Sequence, residues 1–199
     1  MANEAKQTDH NFPRSPTDHK SPGPLRGETW ITLQTRQAER LVAGRQATAE
    51  RPAIIGLTRF GALTSMLFFC ARLDDPYADW WLVRVEDALE RLTGQVNDLQ
   101  NQVDALLTGQ PGMHVDIAES LSPVQVPLKF GNPYAYQGSA LLTDFDALVR
   151  SVLTARHVGF LGRDQAERMI FQAGRAVRRA FTSAVGFHNQ SIKRKDVTE

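Results

Sequence analysis

Trp30-Ile31-Thr32-Leu33-Gln34-Thr35 alternates strictly, with Ile31 and Leu33 on one face and Trp30, Thr32 and Gln34 on the other. A side-chain period of two marks a short strand with one covered and one open face. Arg36 follows at once. From there to about residue 48, Ala38, Leu41, Val42 and Arg45 recur at three- and four-residue spacing, which predicts a helix that Gly44 weakens from inside. Pro52 suits the first turn of a second helix, running to about residue 73. Within it Ile54, Ile55, Leu57, Leu63, Met66, Leu67, Phe68 and Phe69 leave little polar surface, so this helix belongs in the core.

Asp74-Asp75-Pro76 breaks the chain and supplies a good helix start. Beyond it Leu82, Val85, Leu89, Leu92, Val96, Leu99, Val103 and Leu106 alternate at spacings of three and four, a heptad stripe over residues 75–107. Its flanking positions, Glu86, Thr93 and Gln100 on one side and Ala88, Gln95 and Gln102 on the other, hold a single charge and specify no partner. At about 1.5 Å per residue such a helix is roughly 45 Å long. It either projects as a dimerisation arm, a coiled coil in a homodimer, or pairs with another helix of its own chain.

After Pro111-Gly112, residues 114–118 read as a possible strand and Val124-Gln125-Val126-Pro127-Leu128-Lys129-Phe130 as an alternating one, with Pro127 confining it to a sheet edge. Gly131-Asn132-Pro133 reads as a turn. Two helices follow, at about residues 139–156 and 163–184, around a hairpin holding Gly159 and Gly162. Strand, helix, helix thus occurs twice. The expected fold class is mainly α with a small β component (α+β), two strand-helix-helix units joined by the long heptad helix, ribbon-helix-helix-like. The expected organisation is a disordered tail over 1–27, rich in proline; one α+β domain over 28–187, made of units 28–73 and 113–187 with the heptad helix at 75–107 between them; and a polar, basic tail over 188–199.

The 199 residues carry 23 Lys plus Arg against 22 Asp plus Glu, so the net charge of +1 produces no global field. The distribution is uneven. Residues 74–119 hold 2 positive and 10 negative charges, whereas 28–73 hold 6 and 3 and 161–199 hold 8 and 4. A single cysteine, Cys70, excludes an intramolecular disulfide and reads as a small buried hydrophobe. With neither an apolar leader nor a run long enough for a membrane span, the chain is expected to be cytoplasmic and without a membrane partner.

A strand exposing Thr32 and Gln34 and followed by two helices has the layout of a ribbon-helix-helix reader. In such readers two antiparallel strands enter the major groove of double-stranded DNA, and helix termini meet phosphates. Gln can read adenine bidentately, Thr either partner or a thymine methyl, and Arg guanine. The candidate base contacts are Thr32, Gln34 and Arg36; the candidate phosphate contacts are Arg40, Arg59 and Lys129. Trp30 is the misfit in this row. The second alternating strand, exposing Gln125 and Lys129, offers a partner ribbon within the same chain; a second copy of the chain offers the other. The arginines of the basic segments, Arg45, Arg51, Arg175, Arg178 and Arg179 among them, serve either a phosphate footprint or internal pairs with the acidic helix.

Catalytic and metal chemistry find little support. His114 and Asp116 share a face but lack further ligands near them, and an exposed polar pair is the plainer reading. His157 suits a helix C-terminus. The cluster Asp74-Asp75-Pro76-Tyr77-Ala78-Asp79-Trp80-Trp81 reads as a capped helix start with an aromatic anchor. The expectation is a non-enzyme with no cofactor and no metal.

Three stretches carry a family resemblance: Leu33-Gln34-Thr35-Arg36 running on to Pro52-Ala53-Ile54-Ile55-Gly56-Leu57; the Asp74 to Trp81 cluster; and Leu153-Thr154-Ala155-Arg156-His157-Val158-Gly159 with Gly174-Arg175-Ala176-Val177-Arg178-Arg179-Ala180-Phe181. Over residues 28–187 the chain resembles the integrating conjugative element proteins, small cytoplasmic products of bacterial transfer modules. That family is grouped with AcaB-like ribbon-helix-helix activators of conjugative transfer. The resemblance implies a DNA-binding regulator of transfer genes, with the ribbon at residues 30–35. A structural or adaptor protein of a transfer complex, docking a transfer-module partner through the heptad helix, is the competing expectation.

Overall fold

The strand read at residues 30–35 forms as β1 (Thr29–Leu33) and pairs antiparallel with β4 (Val124–Leu128), Ile31 opposite Val126 and Thr32 opposite Gln125. The computed structural model of the chain describes residues 28–109 and 112–186. The two terminal tails therefore lie outside the described residues, as does Pro111. Of the two partners open to the ribbon, the chain supplies its own. Pro127 is tolerated because a two-stranded ribbon consists only of edges.

Between the strands lie α1 (Arg36–Ala43), the two-residue strands β2 (Gly44–Arg45) and β3 (Ile54–Ile55), α2 (Leu57–Ala71) and α3 (Pro76–Thr108); α4 (Pro133–His157) and α5 (Arg163–Ser183) follow β4. The architecture is mainly helical with a small antiparallel component, and strand–helix–helix occurs twice around α3.

Three boundaries differ from the sequence reading. The first helix stops at Ala43 instead of residue 48, and the second starts at Leu57 instead of Pro52. Gly44 at φ +72° turns the chain into β2, which pairs with β3 in a miniature ladder. There Gly44 and Gly56 touch backbone to backbone. A Cβ on Gly56 would lie 2.4 Å from the Gly44 nitrogen, and one on Gly44 2.2 Å from the Ile54 carbonyl oxygen. The helix expected from about residue 139 starts early. Asn132 caps α4 by accepting from the Ala135 amide at 2.9 Å, with Pro133 as the first helical residue, so the expected turn is a helix start six residues ahead of 139. Residues 114–118 join no ladder. Instead the Thr154 hydroxyl accepts from the Ala118 amide (3.0 Å) and the Arg150 side chain donates to the Ala118 carbonyl (3.0 Å), so α4 side chains take the place of a neighbouring strand.

The heptad stripe settles the arm question. Leu82, Val85, Leu89, Leu92, Val96, Leu99 and Val103 are all buried within the chain, packed with α4, α5 and α2, so α3 is a spine and not a projecting dimerisation arm. The last position slips: Leu106 is 36% exposed, while Leu107 is 6% exposed. A straight helix of 3.6 residues per turn drifts about 20° per heptad, so by the fourth heptad the next residue has moved onto the buried face. Asp75 caps α3 as expected, accepting from the Tyr77 amide at 3.1 Å. Tyr77 and Trp81 anchor that end in the core, and the Arg84 guanidinium lies 4.3 Å from the Trp80 ring centre.

The core is continuous from Leu33 to Ala184. At its centre Phe60 of α2 stacks on Phe181 of α5, ring centres 5.0 Å apart, in a gap left by Gly138 of α4.

Candidate nucleic-acid interface

The pairing register sorts the ribbon into two rows. Ile31, Leu33, Val126 and Leu128 face the helices, Leu33 and Leu128 fully buried. Trp30 and Thr32 of β1 and Gln125 and Pro127 of β4 face outward, all four exposed. Thr32 lies opposite Gln125, and Trp30, 55% exposed, opposite Pro127. The open face is therefore four side chains from one chain, two of them able to hydrogen-bond base edges.

Gln34 is not among them. Past the end of β1 its side-chain carbonyl turns inward and accepts from the Ser120 amide at 2.8 Å. The alternation that placed it beside Thr32 stops where the ladder stops, so a base contact by Gln34 would cost an internal hydrogen bond. Arg36, the first residue of α1, is exposed. Arg59 is exposed in the first turn of α2, and Lys129 is exposed immediately after β4. The start of α2 reaches the end of β4: Leu57 and Thr58 share a shallow groove with Val126, Pro127 and Lys129, and Arg59 is the next residue along α2. Gly56, at the N-cap of α2, offers no side chain to cap the first amides, which leaves a dipole-positive terminus beside the ribbon's end. Arg40 stands one turn beyond Arg36 and opens into a separate recess behind the ribbon.

Asp146, which the sequence reading passed over, positions the entire strand end. Only 3% exposed on α4, it accepts from the Gln34 amide (2.9 Å), the Thr35 amide (2.8 Å) and the Thr35 hydroxyl (2.6 Å). Thr35 in turn caps α1, accepting from the Ala38 amide at 3.3 Å. One buried carboxylate thus fixes where β1 ends and α1 begins. The only cue in the sequence was an Asp on an otherwise apolar helical face.

Among the described residues, ion pairs join His114 to Asp116, Arg150 to Glu119 and Arg163 to Glu167, and none joins a carboxylate of α3 to an arginine of α1, α2 or α5. His114 and Asp116 are the exposed pair expected of them, and no group of three or more metal-ligating side chains occurs among the described residues. Cys70 is a free thiol packed against the core. No helix of the described residues is long and apolar enough to cross a membrane.

A model of the family described as transcriptional regulator AcaB matches residues 21–199. The chain belongs to the AcaB family. None of the curated proteins compared matches it. In fold it is similar to a crystal structure of selenomethionine-containing AcaB from uropathogenic E. coli, with a TM-score of 0.66 over 87% of this chain and 88% of that one, at 14% sequence identity. At that identity the likeness is one of fold. Membership of the AcaB family supports a role in transcriptional regulation.

Proposed function

We propose that this AcaB-family regulator binds double-stranded DNA through the β1–β4 ribbon and controls genes of conjugative transfer. One observation carries the reading: a single chain builds an antiparallel ribbon whose inner row is packed and whose outer row, Trp30, Thr32, Gln125 and Pro127, is open. In the groove Thr32 and Gln125 read base edges, and Arg36 reaches a base or phosphate at the ribbon's flank. Arg59 with the uncapped amides of α2, and Lys129 at the end of β4, hold the backbone. Trp30 and Pro127 form an apolar end to the row, suited to thymine methyls. Because the ribbon closes within one chain, one copy supplies both strands of the reader, and the heptad stripe of α3 is taken up by packing inside that copy.

Fluorescence anisotropy with duplex DNA across a salt series tests this. Affinity should fall steeply as salt rises, and Arg59→Gln should weaken all sequences alike while lowering the salt slope by about 1. Thr32→Ala and Gln125→Ala should each cost about 1–3 kcal/mol of discrimination at one base position. Gln34→Ala should leave base preference unaltered. Absence of duplex binding at low salt would refute the proposal.

A further inference from the structure

Behind the ribbon, between α1 with its β2–β3 ladder on one side and α4 and α5 on the other, lies a recess of about 760 Å³. Four guanidinium side chains line it: Arg40, Arg45, Arg156 and Arg178. The single carboxylate among its lining residues, Glu167, is already engaged by Arg163 at 2.9 Å. Arg45 donates to the Pro52 carbonyl at 3.1 Å, which steadies it at the rim. Arg178 is the telling member. Half-buried, it makes no side-chain hydrogen bond or ion pair among the described residues, and its Nη1 lies where a Cβ on Gly174 would come within 3.2 Å. Burial, with Arg175 nearby, holds its pKa below the ordinary arginine value. A cation partly withdrawn from water without a carboxylate partner is stabilised when an anion completes it. Beside it Phe171 presents a ring that is 65% exposed, 5.9 Å from the Arg178 guanidinium.

We propose that this recess binds a small phosphorylated ligand carrying a flat ring, of the nucleoside polyphosphate class, as an effector of the regulator. Arg40, Arg156 and Arg178 take the phosphates from three sides, Arg45 closes the rim, and Phe171 stacks on the ring. Guanidinium forks match phosphate oxygens bidentately, and a recess of this volume is the ordinary size for a small-molecule site. Because the ligand spans α1 and the α4–α5 pair, its binding couples to the seating of α1, which follows directly on β1.

The test is isothermal titration of the full chain with ATP, inorganic pyrophosphate and adenosine, together with anisotropy on duplex DNA. ATP should bind at micromolar to submillimolar concentration, pyrophosphate more weakly and adenosine not measurably. Arg40→Gln combined with Arg156→Gln, both exposed positions, should weaken ATP at least tenfold, Phe171→Ala should weaken ATP but not pyrophosphate, and Arg168→Gln outside the recess should change nothing. Thermal melting of each variant separates lost binding from lost folding. ATP binding that is absent at millimolar concentration, or that survives the double variant, would overturn the proposal. So would a double variant that loses DNA and ATP affinity in equal measure, since the recess would then belong to the DNA backbone.

Discussion

The first unit, β1 with α1 and α2, and the second, β4 with α4 and α5, enter their first helices by the same device. A buried leucine ends each strand, Leu33 and Leu128, and a capping side chain then accepts from the amide three residues on: Thr35 from Ala38, Asn132 from Ala135. From there they diverge. α1 has 8 residues and buries only Ala38 and Leu41, whereas α4 has 25 and buries residues on every turn from Ala135 to Ala155. The second unit is scaffold, because α4 threads the core between α3, α2 and α5. The first is a head mounted on it, short enough that the start of α2 returns to the ribbon's end. With first helices so unequal, the repeated plan buries α4 on every turn and leaves α1 with Arg36 and Arg40 at the surface.

The mounting has identifiable joints, and breaking them ranks them. Asp146 is the principal one. Asp146→Ala would strand two amides and a hydroxyl that the carboxylate now satisfies, at a cost of about 3–5 kcal/mol. Urea denaturation should register that loss, and hydrogen exchange should show protection lost first over residues 34–43 while the middle of α4 keeps its own. A loss under about 1 kcal/mol would mean that the ribbon end is held elsewhere. Gly56→Ala comes next. Its Cβ would meet Gly44, Ala43 and Val42 backbone within 2.6 Å, none of which can swing aside, and about 2–3 kcal/mol should be lost. Gly138→Ala tests the deeper contact between the units. The Cβ would fall 2.6 Å from the edge of the Phe60 ring, which can tilt against Phe181, so the expected loss is smaller, about 1–2 kcal/mol by thermal melting.

The same division explains what could be read in the sequence. Period-two alternation in β1 and β4, the heptad stripe and the cap at Asp75 are local signals, and local signals fix element type and which face is covered. They do not reach across the chain. Whether β1 would pair with β4 or with a second copy turned on contacts some hundred residues apart. Gln34 was misplaced because alternation says nothing about where a ladder ends; Asp146 decides that from 112 residues away. The Gly44–Gly56 crossing likewise turned an apparent pair of long helices into two shorter ones, since neither glycine announces its counterpart. Of the candidate site, Thr32 and Lys129 are exposed where the strand pattern put them, as are Arg36 and Arg59 at the starts of their helices, while the register adds that Gln125, already read as exposed, stands directly opposite Thr32.

The smallest expected effect separates two carboxylates two residues apart on α4. Asp146 points toward the first unit and is satisfied by three donors; Asp144 faces the opposite flank, a groove it shares with Glu86 and Glu90 of α3. Partial burial, with no side-chain donor to it among the described residues, raises the Asp144 pKa above the ordinary aspartate value. A carboxyl whose pKa is raised by folding favours the folded state below its unfolded value, and that contribution is lost as pH climbs through the folded one. At neutral pH the ionised group is therefore a slight liability. Asp144→Asn should melt a little above the native chain at pH 7, with the difference shrinking as pH falls through the carboxylate range. Asp146→Asn should melt below it at pH 7, because an amide can accept through only one of the two oxygens that now serve Gln34 and Thr35. If both variants shifted in the same direction at pH 7, the two faces of α4 would not differ in the way their hydrogen bonds imply.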